Sequence, residues 1–238
     1  MRKLFWIVFV LVVIGGASFF YVTSPKSIPD PFQDKETTTN AVNATSSSVT
    51  VEDKQLVDGS YNLNINKTSA IWEGKKVILT SWIDRGTIKI TAANVSVLNG
   101  LVSKGRIEFD MNSITANQTG SGSGTDRLSG HLKSNDFFNA EKYPKAVFNL
   151  DQLDKGATGD SFVAKGRLTI RDITKPIEIP VKIKLDGADL VVSGKANVDR
   201  TIYGVKFGST KFFADLGDNV VADDFGLEFN LTLTANKN

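Results

Sequence analysis

Ile177-Glu178-Ile179-Pro180-Val181-Lys182-Ile183-Lys184-Leu185, then Asp186-Gly187-Ala188-Asp189, then Leu190-Val191-Val192-Ser193-Gly194-Lys195-Ala196-Asn197-Val198, is the stretch whose period decides the fold. Apolar residues recur at every second position, which puts them on one face of an extended chain and leaves Glu178, Lys182 and Lys184 on the other. A helix would need a repeat near 3.6. The Asp186-Gly187 break between the two runs supplies turn residues, so the pair reads as an antiparallel hairpin. The same period recurs on both sides: Tyr61, Leu63 and Ile65; Ile107, Phe109 and Met111; Phe162, Ala164, Gly166, Leu168 and Ile170; and Leu227, Phe229, Leu231 and Leu233. We count about nine such runs, each the length of a strand buried on one side. Asp58-Gly59, Asn99-Gly100 and residues 156–160 punctuate them.

So many one-sided strands must curl or stack to hide their apolar faces, which gives an all-β antiparallel domain, either a barrel or a sandwich. In-facing positions mix small residues (Ala164, Gly166, Gly194, Ala196) with large ones (Phe109, Phe148, Phe229). Two outcomes follow from that mixture. The small residues leave an internal cavity, or they make room for large neighbours in a filled core. The segment 120–143 breaks the alternation, opening on Gly-Ser repeats and running through Leu128, Leu132, Phe137 and Phe138; it reads as an excursion from the sheet containing a short helix.

The N-terminus follows other rules. Arg2 and Lys3 precede an uncharged apolar run, Leu4 to Val22, whose 19 residues suffice as a helix to cross most of a bilayer core. Gly15-Gly16-Ala17 would suit signal-peptide cleavage. The apolar stretch continues past them through Phe19-Phe20-Tyr21-Val22, which favours an uncleaved transmembrane anchor over residues 1–22. Either reading exports the remainder of the chain, as a single-pass membrane protein with its C-terminal domain periplasmic or extracellular, or as a secreted one if cleaved. Residues 23–55 are rich in Pro, Thr, Ser and Asn and read as a flexible linker with a reach of about 30 Å. The folded domain is expected over 56–238.

Composition removes several function classes. The 28 basic and 26 acidic residues of the 238-residue chain are interspersed and leave a formal charge of +2, without the basic stripe that nucleic-acid binding uses. Cysteine is absent, so disulfides, thiolate metal sites and a lipidated N-terminal cysteine are excluded. His131 is the only histidine. Ser134 and Asp136 stand near it, but three residues of one short segment rarely adopt the geometry of a catalytic triad, and one imidazole falls short of a zinc site. Asp215, Asp218, Asp223 and Asp224 lack the spacing of a calcium loop. No catalytic residue, metal or required cofactor is expected. His131 and Asp136 read as loop-fixing hydrogen-bond partners or as contacts to a polar ligand group, and Phe137, Phe138 and Tyr143 as a cap on the core or the lip of a cavity.

Leu128-Ser129-Gly130-His131-Leu132-Lys133-Ser134-Asn135-Asp136-Phe137-Phe138, continuing through Asn139, Glu141, Lys142, Tyr143 and Pro144 to Ala146 and Phe148, resembles the signature of the YceI-like family, lipocalin-like polyisoprenoid-binding proteins of the bacterial envelope. Further similarities follow in order: Ile71-Trp72-Glu73-Gly74, Gly86-Thr87-Ile88-Lys89-Ile90, residues 107–114, Gly166-Arg167-Leu168-Thr169-Ile170, Asp199-Arg200 and Tyr203-Gly204-Val205. The resemblance runs from about Val57 to Ala235. It implies a lipocalin-like antiparallel barrel of around eight strands enclosing a channel for an isoprenoid, quinone-like or fatty chain, with no established enzymatic activity. The candidate ligand-binding residues are then His131, Asp136, Phe137, Phe138, Tyr143, Phe109, Phe148, Leu168 and Phe229. Some relatives carry a histidine before the Gly-Thr-Ile strand, where this chain has Trp82-Ile83-Asp84-Arg85, so the polar end of the ligand is expected to differ. The alternative is a non-catalytic envelope scaffold with a filled barrel. Relatives of this kind can pair, yet no homodimer interface is recognisable in these residues.

Overall fold

Alternating burial is realised as nine strands in a computed structural model that describes residues 56–78, 81–120 and 124–236. The strands are β1 (Gly59–Leu63), β2 (Ser69–Lys75), β3 (Ile83–Leu98), β4 (Leu101–Gln118), β5 (Lys145–Lys155), β6 (Ser161–Ile170), β7 (Ile173–Asp186), β8 (Asp189–Asp199) and β9 (Asp224–Ala235). One helix, α1 (Thr125–Lys133), falls inside the excursion expected between residues 120 and 143. The expected anchor, 1–22, and linker, 23–55, lie outside the described residues. Among the described residues no helix is long and apolar enough to cross a membrane.

From β3 to β9 each strand pairs antiparallel with the next. Closure comes from the beginning of the domain. β1 pairs with the end of β3, beside the β3–β4 turn, through Tyr61↔Val95 and with the end of β9 through Leu63↔Leu233. β2 bridges the same two strands further along, through Trp72↔Gly86 and Ala70↔Phe229. β1 and β2 therefore share one position, and nine strands make an eight-position closed barrel, the first of the two architectures left open by the alternation. They are separated by a 3-10 turn, Ile65–Lys67. Ile65 was expected to continue the inward face of β1; instead the chain leaves the sheet at Asn64, and Ile65 is 58% exposed.

A barrel in which neighbours alternate in direction has two kinds of end. The β3–β4, β5–β6 and β7–β8 connections lie at one end, together with the start of β1 and the finish of β9. They are short. Asn99-Gly100 adopts positive φ at both positions (56° and 72°), as a type I′ hairpin turn requires. Gly187, with φ of 62°, is the first central residue of the two-residue turn it forms with Ala188. The opposite end carries the long connections, namely α1 with its flanks and residues 200–223 between β8 and β9. Inward side chains line the axis, with Leu190, Leu231 and Leu233 fully enclosed. Among the described residues the core is drawn from 56–233, with Ala235 packed against it, and the sheet closes on itself with no edge left to pair, so residues 56–238 carry a complete barrel and its core.

Candidate ligand-binding site

Two chambers follow one another along the barrel axis. The larger, of about 650 Å³, opens at the end with the long connections. Trp72 and Ile88 from β2 and β3, Phe109, Met111 and Ile114 from β4, and Leu168 and Ile170 from β6 build its wall, and Leu128, Leu132, Phe137 and Phe138 from α1 and its flank close over it. The deeper chamber measures about 90 Å³ and is lined without any exposed polar surface, by residues including Ile90, Phe148, Ala164, Leu190, Ala196, Phe229 and Leu233. Phe109, Leu168, Val198 and Leu227 face both chambers. Such a volume and apolar lining are those of small-molecule sites in general, about 300–1,000 Å³.

Polar side chains gather at the mouth: Lys75, Lys76 and Asp84 from the β2–β3 hairpin, Arg127 and His131 from α1, and Asn219 and Asp224 from the segment before and at the start of β9. His131 stands between two aromatic rings, edge-to-face with Phe137 at 4.9 Å and with Phe207 at 4.6 Å. Its Nε2 lies 3.2 Å from Asp136 Oδ2. The Ser134 hydroxyl donates to the His131 carbonyl oxygen (2.8 Å), so it is engaged with the backbone at the end of α1. Beneath the rim Arg200, 3% exposed, donates from all three guanidinium nitrogens to backbone carbonyls, at Ala222 (2.9 Å), Val205 (2.9 Å) and Val221 (3.1 Å). Burial pulls its pKa below the ordinary guanidinium value, while Asp223 and then Asp199 oppose the shift. Arginine stays charged under such a shift, and its planar fork matches carbonyls from three directions. Arg200 thus holds residues 205–222 against the mouth. Asp223, half-buried, also takes Lys211 at 3.2 Å, so part of the acidic stretch serves an ion-pair network.

Comparison with known proteins identifies this arrangement. A family model described as a YceI-like domain matches residues 42–233. The chain belongs to the YceI-like family. It is 34% identical over 87 residues to a UPF0312 protein of Photorhabdus laumondii, an alignment spanning 37% of this chain and 44% of that protein. It is also 34% identical over 80 residues to Protein YceI of Escherichia coli, spanning 34% of this chain and 41% of that one. The chain thus spans less than half the length of these curated relatives. In fold it resembles the crystal structure of Burkholderia cenocepacia BcnA, with a TM-score of 0.57, 20% identity, and coverage of 71% of this chain and 98% of that one. It also resembles a polyisoprenoid binding domain from Saccharophagus degradans implicated in plant cell wall breakdown, with a TM-score of 0.54, 13% identity and coverage of 74% and 98%.

Within this YceI-like barrel, seven of the nine expected site residues reach a chamber. His131, Phe137 and Phe138 line the outer one, Phe148 and Phe229 the inner, and Phe109 and Leu168 both. Two do not. Tyr143 turns away, its hydroxyl donating to Asp172 Oδ2 at 3.2 Å and its ring stacked beside Arg171. Asp136 lines neither chamber; its carboxylate is exposed and reaches the site only through His131. The Asp136–His131 pair is the loop-fixing alternative of its two readings, and Asp136 and Tyr143 leave the chambers for one reason: residues 134–143 form consecutive turns, in which neighbours in sequence point in unrelated directions. Trp72, Arg127, Arg200 and Phe207 were not anticipated as site residues. Trp72 had a readable signal in its inward parity on β2, whereas Arg127, Arg200 and Phe207 lie outside any alternating run.

Proposed function

We propose that the protein holds a single-chain amphiphile, an isoprenoid, quinone-like or fatty molecule, with its chain inside the barrel and its polar end at the mouth. The observation that carries this reading is the division of chemistry along the axis: charged and polar groups ring the opening, and apolar side chains alone line the depth. A buried chain gains about 0.8 kcal/mol for every CH₂ withdrawn from water. A polar group drawn to the same depth would lose its hydration with no partner, so the site selects orientation as well as class. The filled-barrel scaffold does not suit an outer chamber of 650 Å³. Membership of the YceI-like family supports the reading, as does the likeness in fold to the polyisoprenoid binding domain of Saccharophagus degradans.

Carriage or sequestration, without covalent chemistry, is the activity this arrangement serves, and no cofactor is needed for it. The apolar run 4–22 behind Arg2 and Lys3 supports a position on the outer side of the cytoplasmic membrane; an Arg2-containing peptide in the mature protein is the expected mark of the anchored form. The function itself is tested by purifying residues 56–238 under native conditions, extracting with organic solvent and identifying the extract by mass spectrometry. A stoichiometric prenyl or acyl lipid is expected. Absence of any such lipid, together with failure of added prenyl and acyl chains to bind, would sink the proposal.

A further inference from the structure

The cavity narrows abruptly, and the narrowing has identifiable residues. Phe109, Leu168, Val198 and Leu227 are the four side chains that face both chambers. They come from β4, β6, β8 and β9, so the collar they form is held from around the barrel by four separate strands. Each lies in the paired part of the sheet: Phe109 opposite Ala146, Leu168 opposite Phe148, Val198 opposite Phe225 and Leu227 opposite Ala196. Below the collar the Phe148 ring lies over Gly166 and the Phe229 ring over Gly194, with Phe229 Cζ 2.7 Å from where a Gly194 Cβ would stand. The deep chamber is therefore occupied by the barrel's own aromatic rings, and the glycines beneath them accommodate those rings instead of leaving space.

Resting on the reading that the barrel holds an amphiphile, we infer that the collar of Phe109, Leu168, Val198 and Leu227 is a chain-length stop, and that the site takes prenyl or acyl chains of about C15–C20 in its outer chamber alone. Taking about 30 Å³ for a water-sized group, the outer chamber accommodates roughly 20 non-hydrogen atoms and the inner roughly three. A chain longer than the outer chamber must leave its surplus in the mouth or in water. That surplus gains no burial, so affinity ceases to grow once the chamber is full.

The test is a series of prenyl alcohols of increasing length, C10 to C45, each competing with a fluorescent fatty acid for residues 56–238. Affinity is expected to rise more than about tenfold for each added isoprene unit, up to C15–C20, and then to level. Phe109→Ala combined with Leu168→Ala removes two sides of the collar and should move the plateau to longer chains. Val198→Ala trims the same collar at a single position and serves if the double variant folds poorly; it should move the plateau in the same direction. Affinity that keeps rising beyond C20 in the unmodified protein, or a plateau that stays in place in folded collar variants, would overturn the stop. Failure of every chain to bind would overturn the amphiphile reading itself, and the stop with it.

Discussion

Gly86 is a position that the chemistry of one neighbour dictates. The Trp72 indole crosses it to donate from Nε1 to the Thr115 carbonyl oxygen at 2.9 Å, and a Cβ on Gly86 would collide with that carbonyl and stand 2.6 Å from the indole nitrogen. Neither obstacle is the free end of a flexible side chain. Gly86→Ala is expected to cost about 3 kcal/mol or more, read as a lowered midpoint in chemical denaturation, with a loss of ligand binding because Trp72 lines the outer chamber. Gly130 is the counter-case. It lies inside α1 with nothing within 4 Å of its missing Cβ, so Gly130→Ala should stabilise by about 0.5–1 kcal/mol through helix propensity. Equal effects at the two glycines would refute the packing account. At this scale the sequence is weakly legible. Gly166 and Gly194 stand at inward parity, but whether a glycine makes a void or seats a ring depends on a residue in another strand, here Phe148 and Phe229.

Elements were the most legible level, because alternation is a local consequence of a strand having one wet face. β6 shows it most fully: Phe162, Ala164, Leu168 and Ile170 are all buried, and their sequence neighbours less so. The pattern fails where side chains and backbone make private arrangements. Ile65 breaks parity because Thr68 and the backbone around Asn64 form a turn, with the Thr68 hydroxyl donating to the Asn64 carbonyl at 2.9 Å. Residues 200–223 have no period to read, since their order comes from Arg200 reaching three carbonyls. Another private arrangement fixes the β3–β4 turn. Asp58 accepts the backbone N–H of Gly100 (2.7 Å) and of Asn99 (2.9 Å), which hold its pKa below the usual aspartate range. A carboxyl depressed by folding adds stability above its unfolded pKa and gives it up as pH falls through the folded value. Asp58→Asn should therefore melt below the unmodified protein at neutral pH, with the difference shrinking in acid and vanishing once Asp58 is protonated in both states. A melting difference that persists undiminished into acid would show that the carboxylate charge plays no part.

Closure of the barrel belongs to the whole molecule, and alternation could not reveal it: a strand's period says which face is buried but not which strand lies beside it. β9 completes the ring by pairing with β1 and β2, the first strands of the domain, across more than 150 residues of chain. The same closure separates the two ends by role. The mouth lies among the long connections, whereas the chain enters β1 and leaves β9 at the far end, beside the short turns. Around the mouth, the β2–β3 hairpin and residues 205–222 hold each other by few bonds, among them Val77 N–H to the Val220 carbonyl (3.1 Å) and Ala222 N–H to the Lys75 carbonyl (2.9 Å). Val77, Ile78, Phe207, Phe212 and Phe213 are exposed there. Segments with few buried contacts open at low free-energy cost, so in amide hydrogen exchange these two connections should exchange well ahead of β8 and β9. An amphiphile seated in the outer chamber touches Phe207, Val221 and Ala222 on one side and His131 on the other, so it should slow exchange in α1 and in 205–222. Its effect on the Asn99-Gly100 and Gly187-Ala188 turns should be limited to the global stabilisation that any bound ligand confers, RT ln(1 + [L]/Kd). Local protection at those turns, with none at the mouth, would mean that the ligand sits at the end where the chain enters.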